Sequence, residues 1–296
     1  MLQGRVIKAA GGLFTVLDDE GGEYLCHARG SLKQDKKGLL VGDWVKFDIV
    51  KDGAGTPTGE GVIEEMYPRK NSLPRPPVAN VDQLVVVMSL KQPECDWQLV
   101  NRMLVLSEKE ELPAVVCLNK TDLFTDQEQG ELDGRLDHFP YPFFYTSAVS
   151  GEGLNTLKDK FIGYCSVLAG PSGVGKSTLL NAISPGLSLQ TGPVSNKIKR
   201  GKHTTRQATL IPLETGGMVV DTPGFTRLNF FDIEPEELPD LFPEFRALHD
   251  SCGFRDCRHL SEPKCAVREE VGKLINSMRY EHYRYFMKEL SKQEAF

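Results

Sequence analysis

Residues 170–177 read G-P-S-G-V-G-K-S, and this stretch decides the fold of the 296-residue chain. It follows a predicted apolar strand at residues 166–169 and precedes a predicted helix at residues 177–183. In that context glycines let backbone N–H groups converge on phosphate oxygens, and the helix N-terminus adds a favourable dipole. The stretch therefore predicts a strand, a phosphate-binding loop and a helix within an α/β sheet.

The loop also supplies candidate side chains for a nucleotide and its metal ion. Lys176 is expected to reach the β- and γ-phosphates, and the hydroxyl of Ser177 is the expected ligand of Mg²⁺. The residues expected to contact the nucleotide are Gly170, Pro171, Ser172, Gly173, Val174, Gly175, Lys176, Ser177 and Thr178. A phosphate loop does not select the base, so base specificity has to come from elsewhere in the chain.

The base is indicated by residues 119–122, N-K-T-D, which follow a predicted apolar strand at residues 114–118. The carboxylate of Asp122 can accept hydrogen bonds from both N1–H and N2–H of guanine, and adenine offers no such pair. Asn119 is expected to tether its loop to the phosphate loop, and the stem of Lys120 to lie along the plane of the base. These residues predict guanine recognition.

Two more segments complete the predicted nucleotide site. Ser147 and Ala148 follow the next predicted strand, where backbone N–H groups can reach guanine O6. Residues 221–224, D-T-P-G, follow another apolar strand and form the D-x-x-G element that senses the terminal phosphate. We expect Asp221 to hold Mg²⁺ through water and the N–H of Gly224 to contact the γ-phosphate.

The order of these motifs is unusual. In an ordinary GTPase the guanine motif comes last, but here Asn119 precedes Gly170. The motifs are therefore those of a GTPase in which the chain is circularly permuted. This order places the γ-phosphate contact of Gly224 directly ahead of the C-terminal segment. We hypothesise that GTP hydrolysis changes the position of that segment.

Phe225 stands where many GTPases place a glutamine that orients the attacking water. A phenyl ring cannot polarise water, so we expect slow turnover by the chain alone. His203 is the candidate for the missing role, and a solvated loop residue is the alternative for a lone histidine. Thr205 is the expected further hydroxyl ligand of Mg²⁺, with Thr204 as the alternative. Basic residues crowd positions 197–206 and form either a solvated loop or a contact for RNA phosphates.

The segments on either side of the nucleotide motifs have different patterns. Residues 1–68 contain five short strand-like runs separated by glycine-rich turns, which predicts an oligonucleotide-binding (OB) barrel, with an SH3-like barrel as the alternative. Residues 69–79 are proline-rich and basic, typical of a stiff extended linker. Strand–helix alternation over residues 80–230 predicts a mostly parallel α/β sheet for the GTPase domain. Residues 231–296 predict a mostly helical zinc-binding domain.

The C-terminal segment contains a compact cluster of metal-binding residue types. Three cysteines and one histidine suit tetrahedral Zn²⁺ with no open position, which indicates a structural site. The expected ligands are Cys252, Cys257, His259 and Cys265. His249 and His282 lie outside this spacing and are not included. Helices are predicted around the cluster at residues 235–248, 266–277 and 278–291.

Composition excludes several other classes of protein. Hydrophobic residues make up 40% of the chain and charged residues 26%, typical of a globular protein with several cores. The net charge of −6 does not indicate a bulk nucleic-acid binder. No apolar run approaches the roughly 18 residues of a membrane span, and no signal region is evident. Because the odd number of cysteines also fits a reducing compartment, we expect a cytoplasmic protein that binds no membrane.

Together these residues resemble one family, the circularly permuted small-subunit ribosome biogenesis GTPases known as RsgA or YjeQ/YloQ. The resemblance covers essentially the whole chain, including H-T-T-R at residues 203–206 and D-T-P-G-F at residues 221–225. It implies a GTPase that binds GTP and GDP with Mg²⁺, carries one structural Zn²⁺, and acts in late assembly of the small (30S) ribosomal subunit. It also implies binding to that subunit and its rRNA, activation by the subunit, and a hydrophobic residue, Phe225, in place of the catalytic glutamine. We expect a monomer.

Two other functions share parts of this pattern. Guanylate kinases begin with a loop similar to residues 170–178, but that class lacks N-K-x-D and D-x-x-G elements and places its loop near the N-terminus. A nucleotide kinase of that kind would transfer phosphate from ATP to GMP. In the second alternative the chain is an RNA-binding module in which nucleotide is only structural, and ribosomes would then stimulate no phosphate release.

Overall fold

The computed structural model describes residues 1–33, 38–74, 77–187, 189, 208–214, 216–221 and 233–293. The chain divides into two compact units, each built from separate stretches. The first unit comprises Met1–Gln83, Lys158–Leu168 and Ile183–Phe225. The second comprises Leu84–Leu157, Ala169–Ala182 and Thr226–Phe296. The guanine motif and the phosphate loop therefore belong to the second unit, and the D-x-x-G element belongs to the first.

Strands and helices alternate in the middle of the chain, as the sequence predicts. The strands among the described residues are β1 (Leu2–Ala10), β2 (Leu13–Asp18), β3 (Glu23–Ala28), β4 (Trp44–Lys51), β5 (Pro57–Met66), β6 (Ser72–Pro74), β7 (Pro77–Ala79), β8 (Gln83–Ser89), β9 (Ala114–Asn119), β10 (Phe143–Thr146), β11 (Cys165–Ala169), β12 (Thr209–Pro212) and β13 (Met218–Asp221). The α-helices there are α1 (Gly30–Lys33), α2 (Trp97–Lys109), α3 (Asp126–Arg135), α4 (Leu154–Phe161), α5 (Lys176–Ile183), α6 (Pro243–His249), α7 (Ala266–Glu269) and α8 (Ser277–Gln293). Within the described ranges, no helix is both long and apolar enough to cross a membrane.

The first five strands close into a barrel within the first unit. β1 pairs antiparallel with β2 and β4, β2 pairs antiparallel with β3, and β5 joins β3 in parallel and β4 in antiparallel orientation. This closed cycle of five strands confirms the predicted OB barrel over the SH3-like alternative. The barrel interior is filled by Val6, Val16, Cys26, Val45, Phe47 and Ile63. Gly4 is required at its position, because a Cβ atom there would come within 2.6 Å of Val16 Cγ1.

The first strand of the barrel also pairs with a strand from the GTPase region of the same unit. Lys8 of β1 lies opposite Thr209 of β12, β12 pairs antiparallel with β13, and β13 pairs in parallel with β11. The β12–β13 pair is antiparallel within a region predicted to be mostly parallel. Arg5 of β1 links distant stretches of the first unit. Its guanidinium donates hydrogen bonds to the carbonyl oxygens of Asn80 at 2.6 Å and Gly42 at 3.2 Å.

In the second unit, β8, β9 and β10 form a parallel sheet with β9 at its centre. All but the first residue of β8 and of β9 are buried, as expected for strands of a parallel sheet. β9 ends at Asn119 and β10 ends at Thr146. Because the carboxyl ends of parallel strands meet at one edge, both base-recognition segments begin at the same edge of the sheet.

The C-terminal region of the second unit is built around aromatic side chains that pack against α2. Val105 of α2 belongs to the same buried cluster as these aromatic residues. The largest aromatic members of the cluster are Phe242, Phe245, Tyr283 and Phe286. The C-terminal region and α2 therefore share one hydrophobic core.

Three local predictions differ from the structure. The prolines of residues 69–79 predict a stiff extended linker, but β6 and β7 pair antiparallel within this range. The predicted helix at residues 235–248 is divided into a 3-10 helix and α6, because Pro243 cannot continue a helix from the preceding turn and instead begins α6. The predicted helix at residues 266–277 is shorter, because α7 ends at Glu269 and the chain then turns, with Gly272 at a positive φ of 80°.

Candidate functional site

The phosphate loop connects β11 to α5, and its backbone conformation depends on glycine. Gly170 has a φ of +143°, and a Cβ atom there would come within 2.0 Å of the carbonyl oxygen of Val87. Gly175 has a φ of +98°, and a Cβ atom there would lie 2.4 Å from Nδ2 of Asn119. Both positions therefore require glycine. α5 begins at Lys176, one residue before its predicted start.

The side chain of Lys176 is folded back on this loop. Its Nζ donates to the carbonyl oxygens of Gly170 at 2.7 Å and Pro171 at 2.9 Å. Burial lowers the pKa of Lys176, because removal from water disfavours the charged ammonium. A bound phosphate would favour the charged form and oppose that shift. The loop therefore holds a cation where the charge of a phosphate has to be neutralised.

Asn119 connects the guanine motif to the phosphate loop. It is 1% exposed, and its Nδ2 donates to the carbonyl oxygen of Val174 at 2.8 Å. Its Oδ1 accepts a hydrogen bond from Oγ1 of Thr146 at 3.2 Å. Lys120 then takes a left-handed φ of 67°, which turns the chain out of β9, and its Nζ donates to the carbonyl oxygen of Gln92. The expected contact between Asn119 and the phosphate loop is therefore present in the structure.

Asp122 is positioned by a serine that follows β10. The hydroxyl of Ser147 donates to Oδ1 of Asp122 and accepts the backbone N–H groups of residues 149–150. This contact orients the carboxylate that is expected to recognise guanine. The N–H of Ser147 donates to the carbonyl oxygen of Glu152 at 3.0 Å and is therefore not directed at a base. Of the two N–H groups expected at guanine O6, that of Ala148 is the remaining candidate.

No sequence motif points to Glu152, yet this residue joins the two base-recognition loops. Its Oε2 accepts a hydrogen bond from Oγ1 of Thr121 at 2.6 Å, while its backbone oxygen accepts the N–H of Ser147. Thr121 occupies the variable position of N-K-x-D and is 7% exposed. The following Gly153 has a φ of +66°, and a Cβ atom there would lie 1.9 Å from the carbonyl oxygen of Tyr145. Glu152 therefore cross-links the two loops. The loops pack so closely that position 153 has no space for a side chain.

Several residues expected at the γ-phosphate and Mg²⁺ lie outside the described residues. They are His203, Thr204, Thr205, Gly224 and Phe225. The basic stretch at residues 197–206 lies outside them as well. Asp221 is the last residue of β13 and pairs with Thr209, but its side chain is not among those described. The roles assigned to these residues stay predictions.

The four expected zinc ligands come together in the C-terminal region. One ligand atom from each residue lies within 4.8 Å of all the others, in the group Cys252, Cys257, His259 and Cys265. Nδ1 of His259 is 3.6 Å from Sγ of Cys252 and 3.4 Å from Sγ of Cys265. With Zn–S distances of about 2.3 Å and Zn–N distances of about 2.1 Å, a tetrahedral site separates sulfur from nitrogen by about 3.6 Å. The donor set therefore fits Zn²⁺ with all four positions filled by protein.

His259 is held in place from several sides. It is fully buried and has a positive φ of 56°, and its carbonyl oxygen accepts the hydroxyl of Tyr280 at 2.8 Å. The ring of Phe245 meets the imidazole edge-on, with 5.6 Å between centroids. His249, which the ligand spacing excludes, is nevertheless adjacent, with Nδ1 3.3 Å from Nε2 of His259. His282 lies against α2 instead.

Comparison with known proteins assigns the chain to a family. The family described as RsgA GTPase matches residues 66–231, and the RsgA N-terminal domain matches residues 3–56. The chain belongs to the RsgA GTPase family. The RsgA GTPase match includes the guanine motif, the phosphate loop and the D-x-x-G element in their permuted order, so the resemblance seen in these motifs is confirmed.

Curated members of the RsgA family are similar to this chain from end to end. The protein of Alkaliphilus metalliredigens (strain QYMF) is 42% identical, with 100% of both chains covered. The protein of Moorella thermoacetica (strain ATCC 39073 / JCM 9320) is 44% identical, with 99% of both chains covered. Each of these relatives is named small ribosomal subunit biogenesis GTPase RsgA.

Solved structures of RsgA-type proteins share the fold. YjeQ from Thermotoga maritima has a TM-score of 0.82 and 40% identity, with 98% of each chain covered. YloQ, described as a circularly permuted GTPase, has a TM-score of 0.80 and 38% identity, with 99% of this chain and 96% of YloQ covered. This chain is therefore a circularly permuted GTP hydrolase, which removes the guanylate-kinase alternative.

Proposed function

We propose that this RsgA-family GTPase acts in the late assembly of the small ribosomal subunit. The observation that carries the proposal is the end-to-end similarity to relatives named for that process, which extends through the barrel, the nucleotide loops and the cysteine cluster. Its partners are then the small subunit and the rRNA of that subunit. Subunit assembly is a cytoplasmic process, so we place the protein in the cytoplasm, where we expect it to act as a monomer.

GTP binds between two loops of the second unit. Asp122 accepts from N1–H and N2–H of guanine, and the N–H of Ala148 donates to O6. Backbone N–H groups of the phosphate loop bind the phosphates, and Lys176 exchanges its bonds to loop carbonyls for bonds to phosphate oxygens. The hydrogen bond from Asn119 to Val174 keeps the two loops in register, so that base and phosphates are recognised together.

The chain offers several oxygen-bearing side chains that would hold Mg²⁺ beside the phosphates of GTP. Ser177 would ligate the ion through its hydroxyl, and Asp221 would hold it through water. Thr205 would supply a further hydroxyl in the GTP-bound state, with Thr204 as the alternative. When bound, the ion would neutralise charge on the phosphate oxygens and stabilise the charge that develops during hydrolysis.

Hydrolysis is slow until the subunit is bound. Phe225 has no polar group with which to orient the attacking water, so His203 takes this role. The basic stretch at residues 197–206 contains His203 and five cationic side chains. Contact between this stretch and rRNA phosphates would place the histidine beside GTP, which couples subunit binding to turnover.

The cysteine cluster would hold one Zn²⁺ with a structural role. Three thiolates and one imidazole leave no open coordination position, so the ion takes no part in hydrolysis. Between α6 and α8 the only described helix is the four-residue α7, so regular secondary structure stabilises this segment very little. A bound metal ion would cross-link this segment, and removal of zinc should then unfold it.

Sedimentation with isolated ribosomal subunits tests the proposal. The full chain with a non-hydrolysable GTP analogue should co-sediment with small subunits and not with large ones, and GDP should weaken the association. An analogue of ATP is the matched control, because Asp122 cannot pair with adenine. The proposal fails if no nucleotide supports binding to small subunits, or if large subunits bind equally well.

A further inference from the structure

The two ring nitrogens of His259 face different partners. Nδ1 lies 3.6 Å and 3.4 Å from the sulfur atoms of Cys252 and Cys265, so this nitrogen is the one directed at the metal position. Nε2 lies 3.3 Å from Nδ1 of His249. An imidazole that ligates a metal through Nδ1 has to carry its proton on Nε2. The proton on His259 is therefore directed at His249.

The state of His249 follows from its second contact. Its Nε2 lies 3.1 Å from the carbonyl oxygen of Arg255, and a carbonyl can only accept a hydrogen bond. Nε2 of His249 therefore carries a proton, and Nδ1, which faces the N–H of His259, is the acceptor. The hydrogen bonds then run in one direction only, from His259 to His249 and from His249 to Arg255.

We propose that His249 is a positioning residue of the zinc site. By accepting from Nε2–H of His259, it fixes the tautomer and the ring orientation that direct Nδ1 at the metal. This role presupposes the proposed zinc site. Partners of this kind matter because a ligating imidazole needs an acceptor for its other N–H, and here the imidazole is fully buried.

The side chain of His249 can be tested apart from its backbone. Its carbonyl oxygen accepts the N–H of Cys252 at 3.0 Å, and this contact survives any substitution of the ring. His249→Phe keeps an aromatic ring but removes the acceptor. His249→Gln retains an oxygen that can accept from His259. His27→Phe, at an exposed position of β3, is the matched control.

The measurement is zinc affinity of the full chain, by competition with a colorimetric chelator. We expect wild type and His27→Phe to bind one zinc equally well, and His249→Phe to bind about 10- to 100-fold more weakly. His249→Gln should recover most of that loss. Cobalt substitution provides a second readout, because the thiolate-to-metal absorption bands should persist in every variant if His249 is not itself a ligand.

Two results would overturn the inference. Equal zinc affinity in wild type and His249→Phe would show that the acceptor is not needed, and equal losses in the Phe and Gln variants would indicate a role in packing only. If His249→Phe does not fold, zinc affinity is compared between His249→Gln and His249→Ala. We then expect the Gln variant alone to retain the zinc affinity of wild type. If the wild-type chain binds no zinc, that result would instead contradict the proposed metal site itself.

Discussion

Arg279 and Glu244 form a buried, bidentate ion pair in the C-terminal region. Nε and Nη2 of Arg279 donate to Oε1 and Oε2 of Glu244 at 2.7 and 3.0 Å, and the arginine is fully buried. Nη1 of the same guanidinium donates to Oδ1 of Asn101 at 3.1 Å, and the guanidinium carbon lies 4.5 Å from the ring centre of Phe242. One cation therefore joins α8, α6 and α2.

The contacts of Arg279 with α6 and α2 modify the hypothesis that GTP hydrolysis changes the position of the C-terminal segment. The segment is not expected to move independently of α2. Separating that segment from α2 would expose the charge of Arg279 and the shared core that includes Val105. Such a separation is costly, because it breaks the buried hydrogen bond between Arg279 and Asn101 and exposes apolar surface to water. We therefore expect α2 and the C-terminal region to remain together in the GTP- and GDP-bound states.

Arg279→Met should destabilise the protein by about 3–5 kcal/mol, because it leaves the carboxylate of Glu244 buried without its cation. Urea unfolding of the zinc-loaded chain measures the effect. Lys109→Met is the control, since Lys109 pairs with Glu237 where the side chains are 30% and 45% exposed. That variant should lose less than about 1 kcal/mol. Similar losses in both variants would contradict the account.

Asp122→Asn should weaken GTP binding by about 10- to 100-fold, equivalent to about 1.5–3 kcal/mol, because a donor replaces the acceptor of two guanine N–H groups. Titration with a fluorescent GTP analogue measures this affinity. Asp126→Asn, an exposed change at the start of α3, should have no effect and serves as control. Unchanged affinity in Asp122→Asn would exclude this carboxylate as the guanine-recognition group.

Thr121→Val should weaken GTP binding by roughly 5- to 30-fold, or about 1–2 kcal/mol, since it removes the donor to Glu152 that links the two base-recognition loops. The same titration applies. Thr58→Val removes a hydroxyl contact with Val50 on the exposed surface of the barrel, and it controls for the substitution itself. GTP affinity within twofold of wild type would show that this link does not position Asp122.

His203→Ala should reduce subunit-stimulated turnover by about 100-fold or more, the loss typical of a residue that assists proton transfer or orients water. GTP affinity should remain close to that of wild type. His138→Ala, at a partly exposed position after α3, is the control for loss of an imidazole. An equal fall in GTP affinity and turnover would indicate that His203 supports the structure of the site rather than the reaction.

Local sequence patterns predict those parts of the site that depend on local conformation. The glycines at 170 and 175 are needed for backbone angles and close contacts of their own loop, so the phosphate loop is evident from residues 170–177 alone. The Asn119 contact is predictable for a related reason. Its motif ends an apolar strand, and a buried amide there needs a partner.

Contacts between distant segments could not be predicted in this way. The pairing of β12 with β1 joins residues far apart in the chain, and no local periodicity specifies it. Glu152 reaches Thr121 only because two loops meet beyond their strands. His249 lies outside the spacing of the zinc ligands, and the end of α6 brings its ring to His259. These contacts follow from tertiary packing.

The central claim is that this GTPase is switched on by the small ribosomal subunit. The most direct test is the rate of phosphate release from GTP by the full chain, alone and with isolated small subunits, with large subunits as control. The account predicts slow release alone and with large subunits, and strong stimulation by small subunits that is lost in His203→Ala. Fast release by the isolated protein, or no stimulation by small subunits, would contradict it.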